Sequence, residues 1–573
     1  MKIKILLLML LPFYVRAQTY ITHANVVDVN TRKVLKDHTI VIRDGRIEQV
    51  GPSSRIKPGK EGYVIDATGK WVMPGLVDAH VHFFQTGGLY TRPDAIDLRD
   101  RHAYGKELDW YKHHMEDQLR RYLSCGITTV MDDGATLGLL HQRDTFNTKA
   151  WSPRILMAGP LISTNYIPRA FEALSETDAP FFNVTTPEEA VTMTRKQYAY
   201  HPDFIKIWYI VRNGDKKADA ERNLPLVKAT IDEAKKNGYK VAVHAPQQIA
   251  SRMAVEAGAD HLVHSVDDEL LDDSFIRLLK ERKVALCPTL TVRDGYTSTQ
   301  KQTRHADAAD LAVANPEQLG TLTELSHMDT ALANRYRRMA AEREPGFRKA
   351  DSISRINLKK LHDAGVTIAT GTDAGNIGTL HAASYYKELR AMRDAGLSNW
   401  DVLVASTVNG AKIFGKEAEF GSIAKGRSAD LLILDANPVD DLGHLRRIGL
   451  VLHRGEIFRP DTLVRETPLM LAQRQLNAYN AHNLEAFLEP YAEDVEVYDF
   501  PAGLQFKGKD EMRRRYAFLN NEEGPYAEVK NRIVIGNTVI DHERATFPGR
   551  APIEVMAMYI IENGKISKVY FKR

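Results

Sequence analysis

The chain has 573 residues, with 77 basic and 74 acidic side chains, 43% apolar residues and two cysteines. That length excludes a single small module, and two cysteines exclude a disulfide scaffold. Near-balanced charge without a basic stripe or tail excludes the electrostatic footprint of a nucleic-acid binder.

Residues 1–17 combine a basic start at Lys2 and Lys4, an apolar run too short to span a bilayer, and small residues at a cleavage-site spacing. They read as a signal peptide cut before Gln18. The expectation is an exported protein, periplasmic or secreted, with no integral membrane segment in the mature chain. Three of the basic residues, Lys2, Lys4 and Arg16, lie in this leader, so the remainder balances the 74 acidic residues. Cys125 and Cys287 flank predicted strands and read as buried free thiols.

Residues 18–72 read as short strands, with a hairpin turn at Asp44-Gly45. A similar texture returns at 415–464, where "LHRGEI" matches "IRDGRI". Together they predict one small β-sandwich built from both flanks of a central domain. Between them, 73–414 alternates strands and amphipathic helices. Strands are expected at 76–83, 127–132, 155–161, 204–209, 240–244, 261–264, 284–288 and 366–372, and helices at, for example, 107–123 and 226–237. Eight such alternations define an α/β fold, a (β/α)₈ TIM barrel. A helical excursion over 291–350 is expected to sit over the barrel mouth. Residues 468–573 read as helices followed by a curved antiparallel sheet, a separate α+β domain.

Barrel sites are built at the C-terminal ends of the strands. His80 and His82, two apart on the first strand, point to one face. His244, His264 and Asp373 each end a later strand. Four imidazoles and one carboxylate at strand ends suit Zn²⁺ or a similar divalent ion. Lys206 lies in the apolar strand "PDFIKIWYI", where an unpaired ammonium is costly. It is expected to pair with an acid, to reach the barrel mouth, or to become a carbamate able to bridge two metals.

The stretches "GLVDAHVH", "DFIKI", "VAVHA", "LVHS", "GTDAG" and "GSIAKGRSADLLILDANP" resemble the metal-dependent amidohydrolase superfamily, in particular its imidazolonepropionase-related and prolidase-like members. The resemblance implies one metal on His80, His82 and Asp373 and a second on His244 and His264. Lys206, N6-carboxylated, would bridge the two divalent ions, which would be zinc. Asp373 would act as general base and then general acid in hydrolysis of an amide bond. The substrate is expected to be a dipeptide, an N-acyl amino acid or a cyclic amide. One alternative is a mononuclear imidazolonepropionase-like hydrolase or deaminase. No serine-nucleophile elbow competes with this reading.

Tyr209 and Arg212, after the fourth strand, are candidates for binding a substrate carboxylate. His381, after the eighth strand, is a candidate for substrate contact or for capping the next helix. The C-terminal domain resembles the NTF2-like (SnoaL-like) cone fold through "LNAYNAHNLEAFLEPYAEDVEVYDF", "GKDEMRRRY" and "IIENGKISKVYF". Tyr498, Asp499 and His542 are candidates to face its cone. A second alternative is therefore a ligand sensor acting through this domain, and a homo-oligomer is compatible with either role.

Overall fold

The computed structural model describes residues 18–573 apart from 173, 213, 522 and 523. The leader expected at 1–17 lies outside the described residues. Eight parallel segments form the central barrel: Leu76–Val81, Ile127–Asp132, Arg154–Met157, Ile205–Trp208, Val241–His244, His261–Val263, Ala285–Cys287 and the extended stretch 366–374. Ladders join the first three and then the fourth to the seventh. Single parallel bridges complete the circuit at Ala158 with Phe204, Leu286 with Ile368, and Val81 with Ala374.

The third predicted strand, 155–161, divides in two. Arg154–Met157 stays in the barrel wall, while Leu161–Thr164 starts afresh beyond Gly159-Pro160 and carries Phe181–Val184 on its outer edge. Proline lacks the N–H that a continuous ladder requires. Pro225 misleads in the opposite sense. The helix expected from 226 begins ten residues earlier as Lys216–Lys236, capped by the Asp215 side chain, and runs through the proline. The excursion is helical as expected: Val292–Lys301, Ala308–Val313, Pro316–Thr321 and the 34-residue helix Thr330–Asp363.

The two flanks meet in one curled sheet. Leu431–Leu434 pairs antiparallel with Trp71–Pro74, joining Ile448–His453 and Glu456–Phe458 to the N-terminal strands. The far edge folds back through a bridge between Arg46 and Ser428, around a core that includes Ile21, Ile40, Ile42, Leu431 and Leu452. Cys125 and Cys287 are buried and unpaired with each other, as the sequence suggests.

The C-terminal domain packs Pro468–Asn480 and Leu484–Leu488 against a six-stranded sheet that runs from Gly503–Lys507 to Tyr526–Ile535. It does not stand apart. Leu471, Ala472 and Leu484 share one apolar core with Leu311, Leu319 and Leu325 of the excursion. The sheet and helices line an open cavity of about 450 Å³, formed by Tyr479, Tyr491, Glu543 and Tyr559 among others. Tyr498, Asp499 and His542 do not line it. Tyr498 stacks on Tyr570, Asp499 is exposed, and His542 pairs with Glu554 in solvent. No helix among the described residues is long and apolar enough to cross a membrane.

Candidate active site

His80 and His82 leave the first strand on the same side, so both rings reach the barrel mouth. Their Nε2 atoms are 3.2 Å apart, and Asp373 Oδ1 lies 3.3 Å from the first and 3.2 Å from the second. All three side chains are buried. Asp373 Oδ1 accepts no hydrogen bond although two ring nitrogens face it. The Gly134 carbonyl lies 3.2 Å from His82 Nδ1 and accepts a proton there in the tautomer that leaves Nε2 free to ligate. Two ring nitrogens and one carboxylate oxygen thus converge within 4.8 Å of one another, a donor set that fits a divalent cation.

His264 and His244 stand next to this trio. The His264 ring centroid is 5.1 Å from that of His80 and 4.7 Å from that of His244. His264 Nδ1 lies 2.6 Å from Thr289 Oγ1 and 4.0 Å from Asp373 Oδ2. Burial lowers both imidazoles, His264 to about 3, so both stay neutral and able to ligate. Burial would raise the Asp373 carboxyl, but the surrounding imidazoles outweigh it and hold it well below the usual range. His264 and Asp373 both have positive φ, at 71° and 59°. Such backbone costs about 1–3 kcal/mol per residue and persists where surrounding contacts enforce it.

Lys206 is 1% exposed, and its Nζ donates to Asp133 Oδ2 at 3.1 Å. Asp133 also lies 3.6 Å from His80 Nδ1 and 3.9 Å from His261 Nε2. Burial opposes its ionisation, but the Lys206 ammonium beside it dominates and keeps it ionised. Neither Asp133 nor His261 stands out in the sequence as part of the site. Asp133 follows the second strand, where a strand-end search for carboxylates finds it.

The donors open into a cavity of about 270 Å³. One wall is apolar, with Phe84, Leu161, Phe181 and Trp208; the other carries Arg92, Arg293, Tyr296 and Asn376. Arg293 and Tyr296 come from the excursion, which therefore does cover the mouth. Arg293 pairs with Asp267, and Arg92 makes a two-pronged contact with Asp94 while donating to Asn376 Oδ1 at 2.8 Å.

The three substrate candidates lie elsewhere. Tyr209 is fully buried and donates to the Ala220 carbonyl at 2.6 Å, behind the barrel wall. Lys206 and Trp208 face the cavity, so Tyr209 must face outward by strand alternation. Arg212 is exposed, stacked on Tyr166 beside a separate surface depression. His381 is satisfied by the Tyr122 hydroxyl at 3.1 Å and the Gln85 carbonyl at 2.9 Å, and it stacks on Phe83. It braces the loop after the first strand instead of facing the cavity.

A closed barrel with these donors at its mouth defines a metal-assisted barrel hydrolase. A model described as the amidohydrolase family matches residues 71–461, and one described as a SnoaL-like domain matches 472–569. The chain belongs to the amidohydrolase family and is an enzyme of the class that uses metal to hydrolyse carbon–nitrogen bonds. A candidate prolidase from Bifidobacterium longum superposes with a TM-score of 0.57 at 27% identity, covering 80% of this chain and 98% of that one. The imidazolonepropionase of Chloroflexus aggregans is 24% identical over 441 residues, covering 74% of this chain and 91% of that one. A 66-residue stretch is 48% identical to an adenine deaminase of Ruegeria, but spans 12% of this chain and 11% of that protein.

Proposed function

We propose an exported amidohydrolase that cleaves the amide bond of a dipeptide-like substrate with an apolar side chain and a free carboxylate. The observation that supports this most is the convergence of His80, His82 and Asp373 on the floor of a cavity with one apolar and one arginine-bearing wall. Likeness to a candidate prolidase favours a dipeptide. The basic and apolar leader favours export.

In this reading His80, His82 and Asp373 hold one divalent ion, with zinc suited to the donor set. His244 and His264 would hold the second, with Lys206, once N6-carboxylated, able to supply a carboxylate ligand. Such ions supply a water of lowered pKa and a polarised scissile carbonyl. Asp373 takes the proton of the attacking water and hands it to the departing nitrogen. Phe84, Phe181 and Trp208 exclude water around the apolar side chain, while Arg293 and Arg92 orient the carboxylate.

The Lys206–Asp133 ion pair favours a second reading. If Lys206 stays an ammonium, a single ion sits on His80, His82 and Asp373, and the substrate class is that of the mononuclear hydrolases and deaminases. Purified protein given Zn²⁺ or Mn²⁺ should be assayed on Leu-Pro and Met-Pro, N-acyl amino acids and cyclic amides. The first reading expects two ions per chain and dipeptide cleavage. One ion with action on cyclic substrates alone supports the second, and no product from any substrate removes both.

A further inference from the structure

Among the described residues, the SnoaL-like domain contributes none to the cavity at the barrel mouth, whose lining ends at Asn376. It nevertheless packs on a part of the chain that reaches the cavity. The six-residue helix Pro316–Thr321 lies between the two. On one side, the Asn477 side chain donates to the Pro316 carbonyl at 2.7 Å, and Gln473 donates to Asn477 Oδ1 at 2.8 Å. On the other, Leu89 N–H donates to Thr321 Oγ1 at 3.0 Å.

Two glycines allow these approaches. A Cβ on Gly320 would meet Gln473 Nε2 at 2.5 Å and Asn477 Oδ1 at 3.0 Å. A Cβ on Gly88 would meet Gln318 Oε1 at 2.2 Å and Thr321 Oγ1 at 2.7 Å. The short helix is thus in close contact on both faces, with the C-terminal domain on one and loop 85–92 on the other.

Loop 85–92 follows the His80–His82 strand and carries Gln85 and Arg92 into the cavity. It is laced to the loop after the eighth strand, with Gly87 N–H on Gly375 O at 2.8 Å and Gly378 N–H on Gly87 O at 3.0 Å. Arg92 holds Asn376, and Asn376 Nδ2 donates to the Asp373 carbonyl at 3.0 Å. A continuous run of packed and hydrogen-bonded groups therefore leads from Asn477 to the backbone of the candidate base.

We infer that the SnoaL-like domain positions the substrate-facing loop 85–92 through helix Pro316–Thr321, with Asn477 as the positioning residue. The domain acts here as a brace on the active-site wall. A packed element can carry such coupling when both ends bias its placement. The consequence for catalysis rests on the reading of the cavity as the active site; the brace itself does not.

Hydrogen exchange on the full-length protein, without substrate, reads the brace directly. Asn477→Asp keeps the side-chain shape but presents an acceptor to the Pro316 carbonyl, and Gly320→Ala crowds the same contact. Losing one buried hydrogen bond predicts roughly fivefold faster exchange in peptides covering 85–92. Val241–His244 and His261–Val263 should keep their wild-type protection. Unchanged exchange at 85–92 in both variants, with faster exchange confined to 316–321 and 468–480, would overturn the inference. So would a uniform rise through the barrel strands, since Asn477 would then only support the fold.

Discussion

Lys206 Nζ and Asp133 Oδ2 lie 3.1 Å apart with both side chains shut off from solvent. A buried ammonium next to two prospective cation sites is unfavourable unless something neutralises it. In the metal-free protein that partner is Asp133. Asp133→Asn should therefore leave an unpaired buried charge and destabilise the metal-free protein by about 3 kcal/mol. If Lys206 carries CO₂ in the loaded enzyme, as the proposal requires, the charge to be matched is gone, and the same substitution should cost much less. Urea midpoints with and without Zn²⁺ and bicarbonate test this. Equal losses in both states would mean that Lys206 remains an ammonium in the loaded enzyme.

Asp373 serves in the proposal both as ligand and as proton carrier. Its Oδ1 faces the Nε2 atoms of His80 and His82. Asp373→Asn removes the charge and the basic oxygen while keeping the shape. The expected outcome is a loss of kcat of about 10²–10⁴-fold, the range for removal of a general base. Bound metal, measured by elemental analysis, should fall with it. A variant that kept its full metal content and its wild-type kcat would exclude both roles.

The legible parts of this protein are those carried by local periodicity. His80 and His82 share a face because strand side chains alternate, and His244, His264 and Asp373 stand out because barrel chemistry sits at strand ends. The same alternation, applied to Lys206 and Trp208, places Tyr209 outside the barrel; hydrogen-bonding chemistry alone made it a candidate. Arg293 lies in a helical excursion whose docking over the mouth depends on contacts far apart in sequence, so no local signal marks it. His381 has the residue type and position of a substrate contact, but its two ring nitrogens are used by Tyr122 and Gln85, a partnership visible only in three dimensions. The strand expected over 155–161 runs through Gly159-Pro160, the local signal at which the structure divides it.

Arg293 gives the arginine-bearing wall a specific test. It faces the cavity from helix Val292–Lys301 and is held by Asp267. Arg293→Gln removes a charged donor of carboxylate geometry without opening the apolar wall. KM for a dipeptide with a free C-terminal carboxylate should rise roughly tenfold or more, the worth of one charge-assisted hydrogen bond. The C-terminally amidated dipeptide should be little affected. Equal changes for the two would separate Arg293 from carboxylate recognition.

Glu543 in the C-terminal cavity predicts a pH dependence distinct from catalysis. Burial, with Asp541 nearby, pushes its carboxyl up to about 7, against the Tyr559 hydroxyl that donates to it at 3.0 Å and the Arg532 guanidinium. Unfolded, the same group releases its proton near 4.5. Between those values the native state holds more protons than the unfolded state, so stability falls as pH rises from about 4.5 to about 7 and stays lower above that. The shift corresponds to about 3 kcal/mol at full ionisation. Glu543→Gln retains an acceptor for Tyr559 but cannot ionise. It should therefore leave the urea midpoint unchanged at pH 4 and raise it at pH 8. A variant less stable than wild type at pH 8 would mean that the ionised carboxylate is compensated in place, with Arg532 the nearest cation able to do so.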